Sequence, residues 1–259
     1  MQMYDQFSID YDRFVNWDNR LAYELPFLER ALAGRERVLD AACGTGRHAI
    51  ALAQRGFKAS GADLSAGMIE RARANAKEAG VEVDFQQAGF GELARSIPPG
   101  TGSPDFDGVL CLGNSLPHAV GPGALEAALR DFAACLRPSG VLILQNRNFD
   151  AVSTARNRWM EPQSHREGER EWLFLRFYDF LPSGLIQFNV VTLQRERDQP
   201  WQQQITSSML RPLTQSDLAE ALPAAGFDQI EWFGGLGGES FDPAASGNLV
   251  VLARKKADG

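Results

Sequence analysis

Residues Val38-Leu39-Asp40-Ala41-Ala42-Cys43-Gly44-Thr45-Gly46 run from a short apolar stretch through an acid into two glycines. Arg47-His48-Ala49-Ile50-Ala51-Leu52 follows with helical spacing. This reads as strand, tight turn and helix start. Glycine takes backbone conformations that other residues avoid, and the first N–H groups of a helix lie open to a ligand. Where such strands go on alternating with helical stretches they imply βαβ units, hence a parallel sheet covered on both faces.

The pattern downstream agrees. Leu21 to Leu32 is an amphipathic helix, Arg37 to Ala41 a strand, Arg47 to Arg55 a helix and Lys58 to Ala62 a strand. Ser65 to Ala79 opens on an N-cap and ends before Gly80. Val81 to Gln86 alternates as a strand, Phe106 to Leu112 is a buried strand, and Gly123 to Cys135 is a helix. Leu136 to Gly140 is a turn into a strand over Val141 to Gln145. Past Asp150 the pattern changes to extended, aromatic-rich runs, Glu171 to Phe180 and Leu185 to Arg195, joined by the turn Pro182-Ser183-Gly184. Trp201 to Leu210 is a third such strand. A helix over Thr214 to Ala225 and strands over Asp228 to Phe233 and Asn248 to Ala253 complete the chain.

The expected fold is α/β: a doubly wound, Rossmann-like, seven-stranded and mostly parallel sheet with a small antiparallel β insertion. Residues 1–35 form a helical cap, 36–150 the ligand-binding core, 151–212 an antiparallel lid, and 213–259 the last helix and two strands of the core. The lid belongs over the carboxyl ends of the core strands, where open α/β sheets bind ligands. At 259 residues and 44% hydrophobic, one large domain can build a full core. A formal charge of −7 argues against nucleic acid or acidic membranes as partners. No apolar run spans a bilayer and no charged-then-apolar leader begins at Met1, so a cytoplasmic protein is expected. Three cysteines and three scattered histidines without ligand spacing imply reduced thiols and no metal site. Pro98 to Pro104 and Gly234 to Gly238 are loops, and a Tyr-Asp pair occurs twice, at Tyr4-Asp5 and Tyr11-Asp12.

Gly44-Thr45-Gly46-Arg47-His48-Ala49 satisfies the G-x-G-x-x-G/A pattern, and Asp63 ends the next strand where an acid can take ribose hydroxyls. A nicotinamide dinucleotide fits that pattern. Asp40 opposes it, because a carboxylate inside the turn repels a pyrophosphate. The chain also lacks a second mononucleotide half and a clear hydride-transfer acid. S-adenosylmethionine (SAM) has ribose and adenine without phosphate, and its sulfonium and ammonium suit an acid at the turn.

Four segments resemble the class I SAM-dependent methyltransferases. Val38 to Gly46 is similar to their first motif and Gly61-Ala62-Asp63-Leu64-Ser65 to their second. Phe106-Asp107-Gly108-Val109-Leu110-Cys111 resembles the fourth strand, and Leu136-Arg137-Pro138-Ser139-Gly140-Val141 the turn before the fifth. The resemblance implies SAM as cofactor, contacted by Arg20, Asp40, Ala42, Gly44, Gly46, Asp63, Leu64, Met68, Gly89, Phe90 and Leu112. Gln87-Ala88-Gly89-Phe90-Gly91 lacks the acid that many members place after the third strand for adenine; the Phe90 backbone and ring are its substitutes.

Methyl transfer from a sulfonium mainly needs orientation, worth up to roughly 7–11 kcal/mol. Leu112-Gly113-Asn114-Ser115-Leu116-Pro117-His118 lacks the Asn-Pro-Pro-aromatic signature of enzymes acting on nucleobase or glutamine-amide nitrogens. It resembles the Leu-Gly-Asn-Ser block of glycine and glycine/sarcosine N-methyltransferases, and Arg147-Asn148-Phe149-Asp150 resembles their Arg-Asn-Tyr-Asp. That likeness implies a small acceptor, an amine bearing a carboxylate, with Asn114 orienting the amine and Arg147 clamping the carboxylate. The residues also admit plainer roles: Asn114 as a turn cap, Arg147 paired with Asp150 or Glu161, His118 packed in its turn. An O-methyltransferase with His118 as base is the alternative within the class. A nicotinamide-dependent oxidoreductase and a non-catalytic SAM-binding module remain outside it. Trp172, Phe174, Arg176 and Tyr178 share one face of a strand, either lining an acceptor pocket or forming lid core.

Overall fold

The computed structural model describes residue 8, residues 10–97 and residues 106–257. Tyr4-Asp5 and the loop Pro98 to Pro104 lie outside the described residues. Seven strands form one sheet: β1 (Arg37–Asp40), β2 (Lys58–Asp63), β3 (Asp84–Gln87), β4 (Phe106–Cys111), β5 (Leu136–Arg147), β10 (Phe227–Phe233) and β11 (Asn248–Lys255). They lie in the order β3-β2-β1-β4-β5-β11-β10. Strands β1 to β5 are parallel; β11 runs antiparallel to β5, and β10 antiparallel to β11. All six residues of β4 are buried, as a central strand covered on both faces requires. Strand order reverses between β1 and β4, and the crevice outside their carboxyl ends is where such sheets take ligands.

Helices α1 (Trp17–Ala31), α2 (Arg47–Ala53) and α3 (Ala66–Ala79) supply side chains to one apolar cluster against the sheet. Helices α4 (Leu93–Ser96), α5 (Ala124–Cys135) and α7 (Gln215–Ala224) supply another. The caps follow the sequence. The Ser65 hydroxyl accepts from Met68 N–H at 3.2 Å, Gly80 ends α3 with φ 68°, and Thr214 with Asp217 forms a capping box.

Three expectations change. Helix α1 begins at Trp17, four residues early, because the Asn16 side chain caps it through Asn19 N–H. Leu136 to Gly140 is the first stretch of β5: a register shift opposite Phe106 and Gly108, with Ser139 at φ 62°, absorbs the bend as a bulge. The helix α6 (Phe149–Ala155), capped by Asn148, follows β5 directly.

The second sheet is antiparallel, in the order β6-β7-β8-β9. It has four strands, one more than the pattern predicts: β6 (Gln163–Glu167), β7 (Arg170–Phe180), β8 (Ile186–Glu196) and β9 (Gln202–Leu210). Trp172 and Phe174 are 1% and 0% exposed and pack on Val190, Tyr11 and Phe14. They are therefore core of this sheet, whereas Arg176 and Tyr178 on the same face reach a cavity.

Candidate active site

At the glycine turn, Gly44 and Gly46 have φ of 52° and 78°. A Cβ at Gly46 would lie 2.7 Å from the Phe85 ring, and one at Gly61 2.6 Å from it. Gly46 thus answers first to core packing. Gly44 differs: an added Cβ would meet only Tyr11, at 3.8 Å, so its outer side is open beneath that ring. Asp63 sits beside the turn. Its carboxylate accepts from Gly44 N–H and Ser65 N–H, each at 2.9 Å. A carboxylate can accept further hydrogen bonds, which ribose hydroxyls could donate. Leu64 is 48% exposed and abuts Gly89, forming a rim. Phe90 stands edge-on to Phe132 at 5.4 Å, so its ring is partly committed to the core. Met68 and Leu112 are buried beneath this surface, and Ala42 is half-buried.

Asp40 is 2% exposed, and one of its carboxylate oxygens has no hydrogen-bond partner. Burial pushes its pKa up to about 6. An orphaned, buried anion at the turn fits a ligand carrying positive charge or N–H donors, as SAM does. Its folded-state pKa lies above the ordinary carboxylate value, so the ligand-free fold loses stability as pH rises through the 4–6 window. Asp40→Asn is therefore expected to stabilise the ligand-free protein at pH 7.5 by up to about 3 kcal/mol, with little gain at pH 4, while weakening SAM binding. Paired melts of both proteins at the two pH values check this; equal shifts at both would remove the titration argument.

The N-terminal segment straps this turn. Asp12 accepts from the Thr45 hydroxyl at 2.6 Å, Arg47 at 2.7 Å, Asn75 at 3.0 Å and Trp17 Nε1 at 3.0 Å. Burial opposes the charge, yet the bonds from Arg47 and Thr45 hold the carboxyl below its usual range. The Tyr-Asp repeat was the sequence signal for Asp12, but it carried no role. Arg20 gives Nε to both oxygens of Glu24, at 3.0 and 3.1 Å, and Glu24 also meets His48 Nε2 at 2.5 Å. The Arg20 guanidinium reaches Gly113 at the end of β4. Glu24 and His48 thus fix Arg20 in place.

Arg20, Glu24, Gly113, Asn114, Arg147 and Arg176 lie on one cavity of about 750 Å³, walled by both sheets. Asn114 has φ 65°, and its Oδ1 accepts from Arg147 N–H at 2.9 Å, tying the end of β4 to the end of β5. The bond is a cross-strand tie and not a cap on Asn114's own turn, and an amide oxygen that accepts one hydrogen bond can accept a second. Gln145, which the sequence did not flag, accepts from Gly113 N–H at 2.7 Å and donates to Asn248 at 3.0 Å. Arg147 makes no ion pair with Asp150 or Glu161; Asp150 accepts from Gln215 N–H instead. His118 lines the cavity, and burial pushes its pKa down to about 4 despite a hydrogen bond to the Met209 backbone.

All three cysteines are buried and unbridged. Among the described residues no cluster of three or more His, Cys, Asp or Glu could hold a metal ion, and no helix is long and apolar enough to cross a membrane.

Residues 38–140 match the family described as a methyltransferase domain. The glycine/sarcosine N-methyltransferase of Halorhodospira halochloris is 35% identical over 150 residues, which are 57% of this chain and 54% of that protein. The chain spans about half the length of the curated relatives it matches. In fold it is similar to a SAM-dependent methyltransferase from Clostridium acetobutylicum ATCC 824, at TM-score 0.75 and 15% identity, covering 98% and 99% of the two chains. An amino pentose methyltransferase from Micromonospora echinaspora with SAM bound gives TM-score 0.68 at 20% identity, covering 94% and 93%. Motif order, strand order and these likenesses agree: residues 38–140 match a methyltransferase domain, and the chain has the fold of the SAM-dependent methyltransferases it is similar to.

Proposed function

We propose that this protein transfers a methyl group from SAM to the amine nitrogen of a small, carboxylate-bearing acceptor. The observation that carries the reading is Arg147, a guanidinium on the cavity wall with no acidic partner among the described residues. The glycine/sarcosine N-methyltransferase likeness supports the same acceptor chemistry.

Asp63, Gly44 and Asp40 would hold the cofactor's ribose and charged end, with Arg20 at its carboxylate. Bound there, SAM would supply a methyl on a sulfonium, an electrophile whose C–S electron pair would stay with sulfur as an amine lone pair takes the carbon. Asn114 Oδ1 takes an amine N–H and so aims the lone pair, while Arg147 grips the carboxylate in a planar fork. The acceptor attacks as its neutral amine, its ammonium proton having gone to water, so no side-chain base is required before attack, and the methylated product leaves as an ammonium. His118, with a pKa near 4 and a bond to the Met209 backbone, is a weak base at neutral pH. That favours nitrogen over a hydroxyl acceptor.

Arg147→Ala is expected to raise KM for carboxylate-bearing acceptors roughly 10- to 100-fold, the worth of a charge-assisted hydrogen bond, with the SAM dissociation constant nearly unchanged. A release assay for the demethylated cofactor over amino acids, small amines and hydroxy acids checks it. Equal loss of acceptor and SAM binding would place Arg147 on the cofactor instead. Thermal stabilisation by NAD, and by neither SAM nor its product, would overturn the cofactor assignment.

A further inference from the structure

We propose that the acceptor carries a second acidic group, gripped by Arg176 on the antiparallel sheet; this rests on the reading of Arg147 as the site of the first. Arg176 stands in β7 on the face that also carries Trp172, Phe174 and Tyr178. All three of those side chains are almost wholly buried. An apolar residue would serve the packing of this row better than a guanidinium does.

Among the described residues the charge has no acidic counterpart. Arg176 Nε is buried without a hydrogen-bond partner. The guanidinium carbon lies 4.7 Å from the centre of the Phe14 ring, a cation–π contact that does not replace lost hydrogen bonds. Two acids line the cavity. Glu24 is engaged by Arg20 and His48; Glu161 is exposed at the rim and pairs with neither arginine. Asp179, the residue next after Tyr178 in β7, is bound by Arg158 and Asn189.

Arg147 and Arg176 face the same cavity from opposite sheets and raise each other's cost. Burial lowers the pKa of Arg176, and the nearby Arg147 charge lowers it further. The Tyr178 phenol is raised by burial and drawn back down by both arginines, which places it under the influence of the two charges. Two unpaired cations in a half-enclosed space define a site for two negative charges. Met160, Trp159, Phe188 and Val190 give the cavity apolar wall and Asn148, Asn157 and Asn248 give it polar wall, and about 750 Å³, shared with the cofactor's end at Arg20, leaves room for an acceptor larger than glycine. The acceptor class is thus an amine with two acidic groups on an apolar or short carbon frame.

The test compares di-acids with partners that keep only one acid: glutamate with glutamine, aspartate with asparagine, and 5-aminoisophthalate with 3-aminobenzoate. Each is titrated calorimetrically into the protein saturated with demethylated cofactor. In at least one pair the di-acid is expected to bind tenfold or more tightly than its partner. Arg176→Met should erase that preference and leave the mono-acid's affinity within about twofold, whereas Arg147→Ala should weaken both members. Arg176→Lys, which keeps the charge, should retain part of the preference, and circular dichroism melts of all variants report folding. Mono-acids that bind as well as di-acids, or a preference that survives Arg176→Met, overturn the second acidic group alone. Loss of mono-acid binding in Arg176→Met shows both arginines on one carboxylate and overturns it too. If no carboxylate binds, the Arg147 reading falls as well.

Discussion

Asp12→Ala is expected to lower the melting temperature by roughly 6–20 °C, the largest stability effect expected among the side-chain changes proposed at this site. The carboxylate serves four donors, two of which belong to the buried residues Thr45 and Asn75. Removing one partner of a buried charged network costs about 3–5 kcal/mol, because the remaining donors lose their acceptor without regaining water. For a chain of this size each kcal/mol moves the midpoint by roughly 2–4 °C. The Arg47 contact adds least, since that side chain is 31% exposed. The sign with pH is fixed: the folded-state pKa lies below the ordinary value, so the stabilisation is present above about pH 4 and fades as pH falls through the folded pKa. Scanning fluorimetry on the wild type and variant at pH 7.5 and pH 3.5 measures both. A shift under 2 °C at pH 7.5 would mean that the N-terminal segment is not docked on the turn in solution.

Asp63→Ala should act on the ligand more than on the fold. Two charge-assisted hydrogen bonds to ribose are worth on the order of 2–4 kcal/mol, so the SAM dissociation constant is expected to rise roughly 30- to 700-fold. The variant also releases Gly44 N–H and Ser65 N–H, which the carboxylate holds at 2.9 Å. Asp63→Asn separates these effects, because the amide keeps one acceptor oxygen for the backbone but loses the charge. Calorimetric titration with SAM provides the measurement. Binding within threefold of wild type in Asp63→Ala would remove ribose from this carboxylate.

The sheet was legible because its signals are local. β4 ends in the apolar run Val-Leu-Cys and the interior of β5 reads Val-Leu-Ile-Leu, and Ser65 with Gly80 brackets α3. β6 reads Gln-Ser-His-Arg-Glu: an exposed edge strand buries nothing, so no alternation marks it. α6 hid inside the Arg-Asn-Phe-Asp segment, where one residue serves as cap and its neighbour as site. The site divides in the same way. Asp40, Asp63, Asn114 and Arg147 stand at strand ends, which periodicity locates. Asp12 and Gln145 matter through partners distant in the chain, such as Asn75 and Asn248, and no spacing rule joins them. The partner of Arg147 was open between an acid of the chain and an acid of a ligand; only the three-dimensional arrangement shows that neither Asp150 nor Glu161 takes it.

The Phe85 ring bears on how such chains age. It forbids a side chain at Gly46 and at Gly61 whether or not anything binds. A descendant that ceased to use its ligand would keep Gly46 and Gly61 for as long as it kept the ring, and with Gly46 the second glycine of the pattern. Asp40 is under the opposite pressure, since a buried carboxylate with one unpartnered oxygen weakens the empty fold. In lineages descended from this architecture, the acid just before the turn is therefore the sensitive record of a working site, and the glycines are the fossil.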